Sequence, residues 1–156
     1  MKTPQLAKDI MVTKLVTLTP DVDVFEAIGL LLKHRISGAP VIDARRNFLG
    51  VFSEKNCMSV LLESAYDQHP TTHLYAFMDV ECPTITEDAD LLTIAQIFRD
   101  THCRRLPVIR KSKLVGQISR RDLLKAAHDM MAAAPDGESA FLYLSSIAER
   151  HEAPIA

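Results

Sequence analysis

The chain has 156 residues, 47% hydrophobic and 24% charged, the composition of an ordinary globular protein with enough apolar surface for one sizeable core. A formal net charge of −2 gives no electrostatic case for nucleic acid or an anionic membrane, so any anion site must be a local basic cluster. No apolar run nears the roughly 20 residues that span a bilayer, which argues against direct membrane insertion; three cysteines without C-x-x-C spacing, and no apolar leader, point to reduced thiols in a cytoplasmic setting.

In chain order, Gln5 to Met11 reads as a short leading helix and Leu15 to Leu18 as a short strand. Asp21 or Asp23 can cap a helix over Val24 to His34, where Val24, Ala27, Ile28, Leu31 and Leu32 recur at helical spacing. That helix is expected to end near Ser37-Gly38, because glycine accepts the positive φ of a C-terminal cap. Ala39 to Ile42 and Phe48 to Ser53 form a hairpin about the polar turn Asp43 to Asn47, and Ser53 starts a helix to about Ala65. After a linker containing Pro70, His73 to Met78 takes the role of a second leading helix. A strand at Thr84–Thr86, a helix at Asp90–Thr101, strands at Leu106–Arg110 and Leu114–Ser119, and a helix from Arg120 to Met131 follow. An extra C-terminal helix, Ser139 to Arg150, carries Phe141, Leu144, Ile147 and Ala148 on one stripe.

The same unit is present twice. Gly38-Ala39-Pro40-Val41-Ile42 returns as Arg105-Leu106-Pro107-Val108-Ile109, and Thr17-Leu18-Thr19-Pro20-Asp21-Val22-Asp23 as Thr84-Ile85-Thr86-Glu87-Asp88-Ala89-Asp90, both at a step of 67. From Ser53 to Ser119 the step is 66, so the second hairpin turn is one residue shorter. The fold class expected is α+β: two β-α-β-β-α repeats, 1–68 and 69–131, packed around a pseudo-twofold axis, followed by a linker and helix over 132–156.

With that order and the Ser-x-x-(Asn/Asp) helix starts in place, the sequence resembles a tandem pair of CBS domains, the Bateman module, over about Asp9 to Ala127. The resemblance implies a non-catalytic sensor. An adenosine-containing ligand (AMP, ADP, ATP or S-adenosylmethionine) would lie in a cleft between the repeats, and the module, as a homodimer, would control a separate partner protein. Carried over by position, one cleft combines Ser119 and Asp122 with Thr13, Lys14, Val16, Ile36, Ser37 and Gly38, with Arg104 and Arg121 placed for phosphate. The opposite, weaker cleft combines Ser53 and Asn56 with Val80, Pro83, Cys103 and Arg104. The alternative is a structural dimerisation module that binds no small ligand.

Local chemistry weighs these positions. Ser119-x-x-Asp122 is first a helix start, with Ser119 capping and Asp122 favourable at the positive end of the helix dipole. An ionised carboxylate there also accepts ribose hydroxyls, at about 1.5–3 kcal/mol per bond. Asn56 offers only neutral bonds, and Glu54 stands where the second copy has Arg120, unhelpful to a phosphate. Cys103 is expected to fill a small apolar space at a strand entry. Pro70 between His69 and His73 argues against a shared metal face, and neither a Gly-rich phosphate loop nor a catalytic constellation is present, so no metal, catalytic residue or catalytic cofactor is expected.

Overall fold

The computed structural model describes residues 5–66 and 73–133, and in the tail Leu142, Leu144, Ser145 and Ala148. Those four tail residues are helical; the other positions of the expected Ser139–Arg150 helix, Phe141 and Ile147 among them, lie outside the described residues, as do 67–72 of the linker. The elements are α1 (Ala7–Ile10), α2 (Val24–His34), β1 (Gly38–Ile42), β2 (Phe48–Ser53), α3 (Glu54–Tyr66), a 3-10 turn (Leu74–Ala76), β3 (Ile85–Thr86), α4 (Leu91–Asp100), β4 (Arg105–Arg110), β5 (Lys113–Ser119) and α5 (Arg120–Ala132). Strands β1 and β2 pair antiparallel; β4 pairs parallel to β3 and antiparallel to β5. The α+β architecture of two repeats is therefore present.

Caps set the helix starts. The Asp23 carboxylate accepts from the N–H groups of Phe25 and Glu26, and the Asp90 carboxylate from that of Thr93 at 2.8 Å, one residue type doing the same work at the same step. The end of α2 differs from expectation. Arg35, not a glycine, takes the left-handed conformation at φ 53°, and the Ile36 N–H returns to the Leu31 carbonyl at 3.1 Å. Among the described residues no glycine has a positive φ. Gly38 meets a different need, since a Cβ there would lie 3.3 Å from the Phe52 carbonyl oxygen and from the Ser53 side chain.

Two further expectations are corrected. Leu15 to Leu18 does not form a strand; only Leu18 bridges, in parallel, to Val41. In the second repeat the equivalent pair Ile85–Val108 is followed by Thr86–Ile109. Continuing such a ladder needs an N–H at the next position, where the second repeat has Glu87 and the first has Pro20, which has none. The second leading helix shrinks to one 3-10 turn. In the first copy the Asp9 carboxylate accepts the Leu6 N–H at 2.8 Å; the equivalent position is Ala76, which cannot.

The leading segments exchange partners. The Ala7 N–H donates to the Ala89 carbonyl and that of Lys8 to Glu87; at the same step, the Leu74 N–H donates to Val22 and that of Tyr75 to Pro20. Val12 pairs with Gln117 of β5 through two hydrogen bonds of 2.9 and 3.0 Å, and Asp79 with Val51 of β2 through two of 2.8 and 2.9 Å. Leu74 and Phe77 accordingly lie in the first repeat's apolar core with Val24, Val41 and Phe52, while Ala7 lies in the second's with Ile94, Leu106 and Ile118. Burying a side chain such as Leu74 contributes about 1.5–3 kcal/mol, so each repeat gains stability from the other's leading segment. The hairpin tips also join, through Phe48 N–H to the Ser112 carbonyl and Leu114 N–H to that of Arg46. Among the described residues no helix is long and apolar enough to cross a membrane.

Candidate functional site

Because each leading segment lies along the other repeat, two clefts form where a β2- or β5-terminal helix start faces the partner segment. The first, about 260 Å³, is lined by Ser119 and Asp122, by Val12, Lys14, Leu15 and Val16 of the first leading segment, and by Ile36, Gly38, Pro40, Arg105 and Gln117. Of the ten residues placed there from sequence, Lys14, Val16, Ile36, Gly38, Ser119 and Asp122 line it. Thr13, Ser37, Arg104 and Arg121 are not in its lining; Ser37 and Arg104 line the other cleft, and Arg121 is exposed at the start of α5.

The second cleft is larger, about 410 Å³, and is lined by Ser53, Glu54 and Lys55, by Asp79 and Cys82, by His102 to Arg105, and by Ser37 to Ala39, Val51, Pro107 and Gln117. Ser53, Cys103 and Arg104 line it as placed from sequence, while Val80, Pro83 and Asn56 do not. Val80 is exposed. Gly38, Arg105 and Gln117 line both clefts, so the two adjoin.

The helix starts differ in a way that bears on chemistry. In the second repeat one carboxylate oxygen of Asp122 accepts the Ser119 N–H at 2.8 Å, and the Ser119 hydroxyl accepts the Asp122 N–H at 3.1 Å. The second carboxylate oxygen, Oδ1, has no partner among the described residues. In the first repeat the Asn56 Oδ1 accepts both the Ser53 N–H at 2.8 Å and the Ser53 hydroxyl at 3.0 Å. That amide has no other oxygen, and what it has left is an NH₂ donor. A ribose hydroxyl offering its proton therefore meets an acceptor at Asp122 and none at Asn56. The larger cleft is thus the one with the poorer chemistry for a ribose, and it holds two carboxylates, Glu54 and Asp79, beside its cations.

The smaller cleft combines an apolar wall (Val12, Leu15, Val16, Ile36), a carboxylate and two cations, Lys14 and Arg105. Val12, Pro40, Arg105 and Gln117 escaped the sequence reading. Alternation along β5 carried part of the signal: Leu114, Gly116 and Ile118 are buried, which turns Gln117 to the face of Ser119, and Arg105 is Ser119's register partner across the ladder. Among the described residues no group of three or more His, Cys, Asp or Glu side chains could hold a metal ion.

The family model described as CBS domain matches residues 7–63 and again 74–129. An uncharacterised protein of Methanocaldococcus jannaschii is 29% identical over 118 residues, 76% of this chain and 41% of that protein. An inosine-5'-monophosphate dehydrogenase of Aquifex aeolicus is 32% identical over 117 residues, 74% of this chain and 23% of the enzyme. The chain spans less than half the length of either relative. Among solved structures, the Arabidopsis thaliana CBS-pair protein CBSX2 in complex with AMP superposes with a TM-score of 0.72 at 25% identity, covering 80% of this chain and 96% of that one. A CBS domain pair holding 5-methylthioadenosine and S-adenosylmethionine shares the fold, with a TM-score of 0.69 at 20% identity over 81% of this chain and 98% of the other.

Proposed function

The chain belongs to the CBS-domain family, with two copies in tandem, and from that premise we propose that it is a cytoplasmic, non-catalytic sensor of an adenosine-containing ligand that regulates a separate partner protein. The observation that carries this reading is the free Oδ1 of Asp122 in a cleft with an apolar wall and two cations, a set that suits ribose, base and phosphate in turn. The AMP bound by CBSX2, a CBS pair of the same fold, supports the ligand class. The sensing unit is the two repeats together, 1–68 and 69–131, with 132–156 as an appendage. Thr13, Ser37, Arg104 and Arg121 remain proposed as rim contacts, Arg104 reaching from the adjoining cleft; Val80, Pro83 and Asn56 belong to the weaker one.

Thermal-shift screening of the full chain against AMP, ADP, ATP and S-adenosylmethionine tests the reading. A ligand at 100 times its Kd adds about 2.7 kcal/mol, which raises Tm by roughly 5–11 °C. No shift with any of the four at millimolar concentration would remove the sensor reading in favour of a ligand-free dimerisation module.

We also propose that the module is a homodimer. Met58, Leu61 and Leu62 form an exposed apolar stripe on α3, with Leu62 60% accessible, and Leu124 stands at the equivalent of Met58 on α5. An exposed apolar stripe of this kind, with Leu124 at the matching place on the second repeat, suits an isologous interface. Light scattering of the wild type at micromolar concentration should give twice the chain mass, and Leu61→Glu with Leu62→Glu should give the monomer. A monomeric wild type would sink the proposal.

A further inference from the structure

The two clefts differ most at one pair of positions. Leu15 and Ile36 line the smaller cleft, and at a step of 67 their equivalents in the larger one are Cys82 and Cys103. Two thiols 21 residues apart in sequence thus line one cavity, both half-buried, while the third cysteine, Cys57, is buried in the first repeat's core. Burial, then the Asp79 carboxylate, then Cys103 itself push the Cys82 thiol up to about 11. Cys82 belongs to the segment entering β3 and Cys103 to the segment entering β4, so the thiols stand on adjoining walls of the cleft.

We propose that Cys82 and Cys103 form a redox modification site, closed as an intramolecular disulfide across the larger cleft when a hydroperoxide enters it. Cys82, held protonated at neutral pH, is the poorer first nucleophile. The Cys103 sulfur therefore attacks the peroxide O–O bond, giving a sulfenic acid and releasing one water (an alcohol from an alkyl peroxide). The Cys82 sulfur then displaces the sulfenic oxygen, forming the S–S bond and releasing a second water. Two thiols lose two electrons and two protons, and the peroxide takes them. The bond ties the two walls together and narrows the cleft; reduction by a dithiol reopens it. This site is independent of whether a nucleotide binds beside Asp122.

The test uses the reduced full-length chain and hydrogen peroxide, followed by denaturing thiol titration and peptide mapping. The expected result is loss of two of the three thiols, with Cys57 retained, an intact mass about 2 Da lower, and a Cys82–Cys103 peptide that dithiothreitol splits. Cys57→Ser should behave as wild type, and Cys82→Ser should leave Cys103 as a sulfenic acid. A probe that needs no variant is a trivalent phenylarsenical, which bridges thiol pairs; one bound equivalent should protect both cysteines from alkylation in the native protein. Interchain disulfides, sulfinic acid on Cys103 with Cys82 still free in the wild type, or no arsenical protection would overturn the proposal.

Discussion

Gly50→Ala should lower stability by about 3 kcal/mol and Tm by roughly 6–12 °C, read by calorimetry or denaturant unfolding. A Cβ at Gly50 would lie 2.5 Å from the Asp79 carbonyl oxygen, a backbone atom of the crossing segment. That segment cannot withdraw cheaply, because Asp79 and Val51 exchange two hydrogen bonds of 2.8 and 2.9 Å at the same place. The internal control is Gly116, its equivalent in the second repeat, where a Cβ would meet the Met11 sulfur, also at 2.5 Å. A thioether at the end of a flexible side chain can swing away, so Gly116→Ala should cost less than about 1.5 kcal/mol. Equal losses at the two sites would show that the crossing backbone is not what makes Gly50 necessary.

Asp122→Ala should weaken nucleotide binding by about 2 kcal/mol, some thirtyfold, if hydrogen bonds to the carboxylate dominate. The same change removes the acceptor for the Ser119 N–H and should cost about 1 kcal/mol of stability as a lost cap. Asp122→Asn separates the two effects, since Asn56 in the first repeat already shows an amide oxygen accepting the corresponding Ser53 N–H. The Asn variant should fold with wild-type stability and still bind weakly. Asn56→Ala should leave binding nearly unchanged, whereas Asn56→Asp would add a carboxylate opposed by Glu54 and Asp79. Calorimetric titration reads affinity and site number together. Wild-type affinity in Asp122→Asn would show that the carboxylate serves the helix start alone.

Some of this was written into the chain locally. The capping by Asp23 and Asp90, the Ser119-Asp122 helix start and the apolar alternation of β5 depend on residues within one turn or one strand of each other, so spacing alone carries them, and the duplication is read from residue types recurring at a near-constant step. That the bridge at Leu18 would not extend to the following residues was also legible, since Pro20 lacks the N–H that Glu87 has. The tertiary structure alone decided the rest. That α1 closes the second repeat's core, that Arg105 faces both clefts, and that Gly50 must remain bare under the Asp79 carbonyl all depend on distant segments crossing at the pseudo-twofold. Nothing in local propensity encodes such a crossing. It follows from two incomplete cores, each covered by the other's leading segment, and that exchange sets which side chains share a cleft.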